Sequence, residues 1–112
     1  MSYKVAVASN DGKFVNEHFG RAEKFMIYEI YDDETYKFLE TRDSSISCIG
    51  EGNNQNARSK VIDLISDVKA VLVANVGPGA IDDLINNNIK PYATSFDIDS
   101  ALNELIKLDN KN

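Results

Sequence analysis

The chain has one histidine and one cysteine, and the residues around each decide what chemistry is open to it. His18 stands in "NEHFGRAEKF", residues 16–25, beside an aromatic and a glycine and close to two cations, Arg21 and Lys24. An imidazole there can ligate a transition metal, move a proton, or make a structural hydrogen bond. Arg21 and Lys24 can present positive charge to an anion or simply stand in solvent. Phe19 reads as a core anchor for the loop, and Gly20 as a position with positive φ or close backbone approach. Cys48, in "DSSISCIGEGNNQN", is a soft thiolate ligand when ionised and otherwise a small loop residue. A third feature is "NVGPGA", residues 75–80, a helix start with Pro78 at the first helical position between Gly77 and Gly79. Free N–H groups at such a start suit an oxygen anion or the sulfides of a cluster, although a tight strand-to-helix turn calls for glycine in any case.

Other chemistries lack their residues. There is no Ser-His-Asp set, no CxxC, no HExxH and no second histidine, and "NVGPGA" lacks the Lys-Ser/Thr of a nucleotide P-loop. A two-metal nuclease needs carboxylates, one of them in the middle of the first strand. That position reads "VAVA", with Asp11 and Glu17 only in the loop beyond.

The elements that must position these residues follow from periodicity. Tyr3–Ala8 is an apolar strand buried on both faces and closed by the turn chemistry of "SNDG". Lys24–Tyr31 and Tyr36–Arg42 form a hairpin across Asp32–Thr35, the second strand carrying the charges of a sheet edge. Residues 43–56 read as a mobile loop. An amphipathic helix follows, with Ala57, Val61, Ile65 and Val68 on one face. Ala70–Ala74 is a buried parallel strand, and the helix from Pro78 carries Ile81, Leu84 and Ile85 on its stripe. Pro91–Thr94 is a last short strand. Asp97 caps a closing helix whose stripe is Ile98, Ala101, Leu102, Leu105 and Ile106.

The order β-β-β-α-β-α-β-α predicts an α/β fold with a five-stranded mixed sheet, order 3-2-1-4-5, and three helices: the ribonuclease-H-like layout. Residues 1–112 form one domain with its core at about 3–108 and a frayed tail at 109–112. This topology brings His18, Cys48 and the Gly77–Gly79 turn to the carboxyl-end edge of the sheet, where open α/β sheets bind ligands.

Composition sets the outer bounds. At 112 residues, 43% hydrophobic and 27% charged, the chain can bury a core without disulfides or a structural metal. A net charge of −6 opposes binding to a phosphate backbone. A lone cysteine, too short an apolar run for a signal peptide and no stretch of membrane-span length predict a cytoplasmic protein with neither nucleic acid nor membrane as partner.

Three stretches, "KVAVASNDGKFVNEHFGRAEKFMIYEI", "AVLVANVGPGAIDDLINNNIKPY" and "DIDSALNEL", resemble the nitrogenase iron–molybdenum cofactor biosynthesis domain family over about residues 3–108. The most specific parts are "EHFGRA" and "VGPGA". The resemblance implies a ribonuclease-H-fold module that is not an enzyme. Such a module transiently binds an iron–sulfur cluster, an iron–molybdenum-type cofactor or its precursor, between donor and acceptor proteins of cofactor assembly. It implies His18 as the cluster ligand, and Cys48 lies in a loop where some members carry a soft ligand. Arg21 and Lys24 would then offset cluster charge, and Gly77 and Gly79 would border it. Since iron–sulfur clusters usually take four thiolates, one histidine and one cysteine imply a transient carrier, as a monomer or weak homodimer. The alternative is a small protein-interaction or regulatory module of the same fold without metal.

Overall fold

The computed structural model describes residues 2–19, 22, 24–43 and 61–110. Strand β1 (Ser2–Ala8) lies at the centre of a five-stranded sheet of order β3-β2-β1-β4-β5. It pairs antiparallel with β2 (Lys24–Tyr31), from Ser2 opposite Tyr31 to Ala8 opposite Phe25. On its other side it runs parallel to β4 (Ala70–Val73), with Val5, Ala6 and Val7 opposite Ala70, Val71 and Leu72. β3 (Tyr36–Asp43) and β5 (Lys90–Ala93) are the two edges. Helix α1 is described over residues 61–64; α2 is Pro78–Asn86 and α3 is Ile98–Asn110. The expected strand order and directions are therefore those observed.

β1 and β4 read as unbroken apolar runs because both of their faces are covered. Ala6, Ala8, Val71 and Val73 pack with Val61, Ile62 and Ile65 of the α1 region and with Ala80 and Leu84 of α2. Val5, Val7, Ala70 and Leu72 point the other way, into the stripe Ile98, Ala101, Leu102, Leu105 and Ile106 of α3. Asp97 caps α3 as its sequence position predicts, its carboxylate accepting the Ser100 N–H at 3.1 Å. The helical run includes Asp109 and Asn110, two of the residues expected in a frayed tail.

One stripe differs from expectation. Ile85 is 56% exposed, whereas Ala80 and Leu84, four residues apart, face the sheet. Periodicity fixes which residues share a face of α2, but the way the helix sits on the sheet decides which side of that face is covered. Pro91 shows the reverse case, a sequence oddity that the sheet absorbs. Lys90 and Thr94 donate to Lys69 and Val73, so alternation turns the Pro91 nitrogen, which has no hydrogen to give, away from β4.

The edge strand β3 is held from both sides. On one face the Arg42 guanidinium grips Asp67 with two bonds, at 2.6 and 3.0 Å, and also donates to the Leu64 carbonyl at 2.9 Å. On the other, the Tyr36 hydroxyl donates to Asp99 of α3 at 2.7 Å. Burial and this bond push the Tyr36 phenol up to about 12. A bulge leaves Leu39 unopposed between Glu40, which faces Ile27, and Phe38, which faces Tyr28. The bulge breaks the regular outer row of backbone groups that would otherwise invite a further strand.

Hydrogen bonding to Arg42 holds the Asp67 carboxyl well below the usual carboxylate range. A carboxyl depressed in the folded state stabilises fully above its unfolded value, near 3.9, and that stability is lost as pH falls through the lower folded value. Because the Asp67 side chain is 41% exposed, solvent screening keeps the effect to about 1 kcal/mol. Urea unfolding at pH 7 and pH 3 checks this: Asp67→Asn should lose about 1 kcal/mol at pH 7 and show a shallower fall toward pH 3 than the parent.

Candidate functional site

Past the end of β1 the chain turns sharply. Gly12 has φ +73°, a conformation that favours glycine, and the buried Ser9 hydroxyl accepts its N–H at 3.0 Å. Asp11 accepts the N–H groups of Lys13 (2.8 Å) and Phe14 (3.1 Å), and these bonds draw its carboxyl below the ordinary value. Asn10 and Asn16 bond to each other across the loop, side chain to side chain at 2.9 Å and backbone to side chain at 3.0 Å. The loop then returns to the sheet. Phe14 bridges Asp97, and Val15 donates to the Phe96 carbonyl, so the segments after β1 and β5 run side by side.

His18 is fixed by the next contact. It forms a parallel bridge with Asn75, just beyond β4. Phe19 N–H donates to the Asn75 carbonyl and Ala74 N–H to the Glu17 carbonyl, both at 2.9 Å. Phe19 is the anchor its type suggests: it is 1% exposed, and its ring lies 6.1 Å from that of Phe25. The neighbouring His18 is exposed, and its ring has no hydrogen-bond partner among the described residues. A structural histidine would use at least one ring nitrogen. Here the backbone is held and the imidazole left open.

Asn75, Val76 and Gly77 lead directly from that bridge into α2. Gly77 is the N-cap, with φ −77° and ψ 161°, and no side chain caps the helix; Pro78 occupies the first turn. A Cβ placed on Gly77 would meet nothing within 4 Å, so neither its conformation nor its packing calls for glycine. With exposed Gly79 beside it, glycine there leaves the helix start without a side-chain cap, and the Gly77 and Gly79 N–H groups have no hydrogen-bond partner among the described residues. Thus His18 and the Gly77–Gly79 turn do share one edge of the sheet. Lys24 opens β2 opposite Asp43, exposed and without an ion-pair partner among the described residues. Arg21, Gly20 and Cys48 lie outside the described residues.

Charges at this rim are arranged unevenly. The carboxylates of Asp11 and Asp97 are occupied by N–H donors of their own loops, and bonds to Ser100 likewise draw Asp97 below its ordinary value. Among the described residues the Gly77 and Gly79 N–H groups at the α2 start are not so occupied, and a helix start carries partial positive charge. Among the described residues no three His, Cys, Asp or Glu side chains gather as a ready metal cage. A cleft of about 600 Å³ lies at the opposite edge, lined by residues that include Asp67, Lys69, Asn88 and Lys90. Its carboxylate is already paired with Arg42 and Lys4. Sequence reasoning missed Asn75, the residue paired with His18. Its only signal was an amide at the mouth of the strand preceding "VGPGA".

Residues 1–108 match the family described as dinitrogenase iron–molybdenum cofactor. Over 99 residues the chain is 39% identical to the FeMo cofactor biosynthesis protein NifB of Herbaspirillum seropedicae, a match covering 86% of this chain and 19% of that protein. It is 26% identical over 92 residues to the protein NifX of Azotobacter vinelandii, covering 82% of this chain and 56% of that one. The chain spans about a fifth of the length of the NifB relatives it matches. In fold it is similar to the apo form of the orange protein of Desulfovibrio gigas, with a TM-score of 0.67 and 19% identity over 96% of this chain and 88% of that one. Among the described residues no helix is long and apolar enough to cross a membrane.

The bare start of α2 makes a stability prediction. Gly77→Ser supplies the missing cap and should raise the unfolding free energy by about 0.3 kcal/mol, read as a higher urea midpoint at unchanged slope.

Proposed function

This chain belongs to the dinitrogenase iron–molybdenum cofactor family, and from that premise we propose that it is a non-enzymatic carrier. Its cargo is an iron–sulfur cluster or an iron–molybdenum-type cofactor or precursor, held briefly between donor and acceptor proteins during cofactor assembly. The observation that carries this reading is the exposed imidazole of His18, without a hydrogen-bond partner among the described residues, on a backbone pinned to the sheet edge. A neutral imidazole ligates iron or molybdenum without a proton to lose, and its exposed place beyond the end of β1 leaves it open to a metal atom. Cys48 is the second candidate ligand. Arg21 and Lys24 would offset the charge of the cluster's anionic sulfides, and the N–H groups at Gly77 and Gly79 would border it.

Such a ligand set is short of the four thiolates that hold a resident cluster, which suits release as well as capture. The remaining ligands come from the cargo itself or from a second copy in a weak homodimer. The lone thiol suits a reducing cytoplasm. The strand order, with β2 antiparallel inside it, supports a ribonuclease-H-like classification.

One observation favours the second reading, a metal-free interaction module. Phe14 and Phe96, on the paired segments of the same rim, are 49% and 54% exposed. Exposed aromatics beside a binding rim suit contact with another protein.

Anaerobic titration with isolated iron–molybdenum cofactor, followed by absorption and electron paramagnetic resonance, tests the carrier. His18→Ala should weaken binding at least about tenfold, the range seen when a metal site loses a supporting group. Its unfolding free energy should move by less than about 0.5 kcal/mol, since the exposed ring has no hydrogen-bond partner among the described residues. Equal affinity in parent and variant would remove His18 from the site. Binding by neither would favour the interaction module.

A further inference from the structure

We propose that Asn75 is a second recognition residue: its carboxamide N–H donates to a sulfide or oxo group of the cargo and so selects an anionic cluster over a bare metal cation. This rests on the carrier reading above.

Three facts place that donor. First, Asn75 is the bridge partner of His18, with both backbones held by 2.9 Å hydrogen bonds. Neighbouring strands lie about 4.8 Å apart and paired residues send their side chains to the same side of the ribbon. Second, the carboxamide is oriented. The Val76 N–H donates to Asn75 Oδ1 at 2.8 Å, and only the oxygen of the amide can accept that bond. The Nδ2 group therefore points away from the backbone. Third, Nδ2 has no partner among the described residues, and Asn75 is exposed.

The chemistry follows from what the two kinds of cargo present. Sulfide and oxo groups are acceptors only and need donors. A bare divalent cation needs lone pairs, and an amide N–H offers it none. Being neutral, the donor also adds no charge that would hold the cluster too firmly, and hydrogen bonds to cluster sulfurs tune the reduction potential. Asn75 thus stands between the imidazole and the bare N–H groups of α2 as the part of the rim that reads sulfide rather than metal.

Asn75→Asp separates this role from a structural one. An aspartate oxygen accepts the Val76 N–H as the amide oxygen does, so the thermal midpoint should hold within about 2 °C. At the outward atom, however, a donor becomes an anion. Titrated anaerobically with isolated iron–molybdenum cofactor, Asn75→Asp should bind at least about tenfold more weakly than the parent, and with Zn²⁺ alone at least about tenfold more tightly, now that a carboxylate stands beside His18. Asn75→Ala removes the donor without adding charge and should weaken the cofactor alone, which keeps the test decisive if the aspartate variant does not fold. Parent-like cofactor affinity in either folded variant overturns the role of Asn75 while leaving the carrier intact. A parent protein that binds no cofactor overturns both.

Discussion

Two backbone hydrogen bonds, from Phe19 to Asn75 and from Ala74 to Glu17, carry the β1–β4 pairing past the ends of both strands. They are short, local and made by groups that every residue has. Yet they convert a long excursion after β1 into a fixed ledge. The parallel neighbours they extend are themselves held by burial on both faces, so the ledge inherits the rigidity of the centre of the sheet. Phe19, sunk against Phe25, stops the segment from sliding, and the next side chain along is the exposed His18. An imidazole on a frayed loop must be ordered before it can bind anything, whereas the His18 backbone is already paired with the sheet.

The rim around this ledge distributes its polar groups in a consistent way. Three side-chain acceptors are engaged locally: Asp11 by the N–H groups of its own turn, Asp97 by Ser100, and the Asn75 oxygen by Val76. Among the described residues donors are left over at Gly77 and Gly79 at the start of α2 and at the Asn75 amide. Away from the rim the acidic groups do structural work. Asp67, in the turn after α1, and Asp99 of α3 tie the edge strand β3 to the layers on its two faces through Arg42 and Tyr36.

Much of the fold is legible in the residues. "VAVA" and "AVLV" announce strands covered on both faces, Asp97 announces a cap, and the α3 stripe is buried as its periodicity indicates. These features are local: each depends on residues within a few positions of one another, and burial then follows from alternation or from the helical repeat. Ile85 and Leu39 were not legible for the same reason. Ile85 lies on an apolar stripe but beyond the width of α2 that the sheet covers, and Leu39 sits in a bulge that exists only because β2 supplies one residue where β3 supplies two.

The candidate site divides along that line. The residue types alone singled out His18, the glycines around Pro78 and the cations nearby, and strand order alone required the first two to meet at one edge. That His18 faces Asn75, that its ring is left without a partner among the described residues, and that the Asn75 amide is turned outward were decided only by the tertiary structure. Residues 18 and 75 are far apart in the chain, and no local preference of either refers to the other. Their pairing depends on the register of β1 against β4, which the packing of two helical layers sets, and on the length of loop between β1 and the ledge. Sequence pattern therefore identified the chemistry available, and three-dimensional pairing decided which of its atoms remained free to use it.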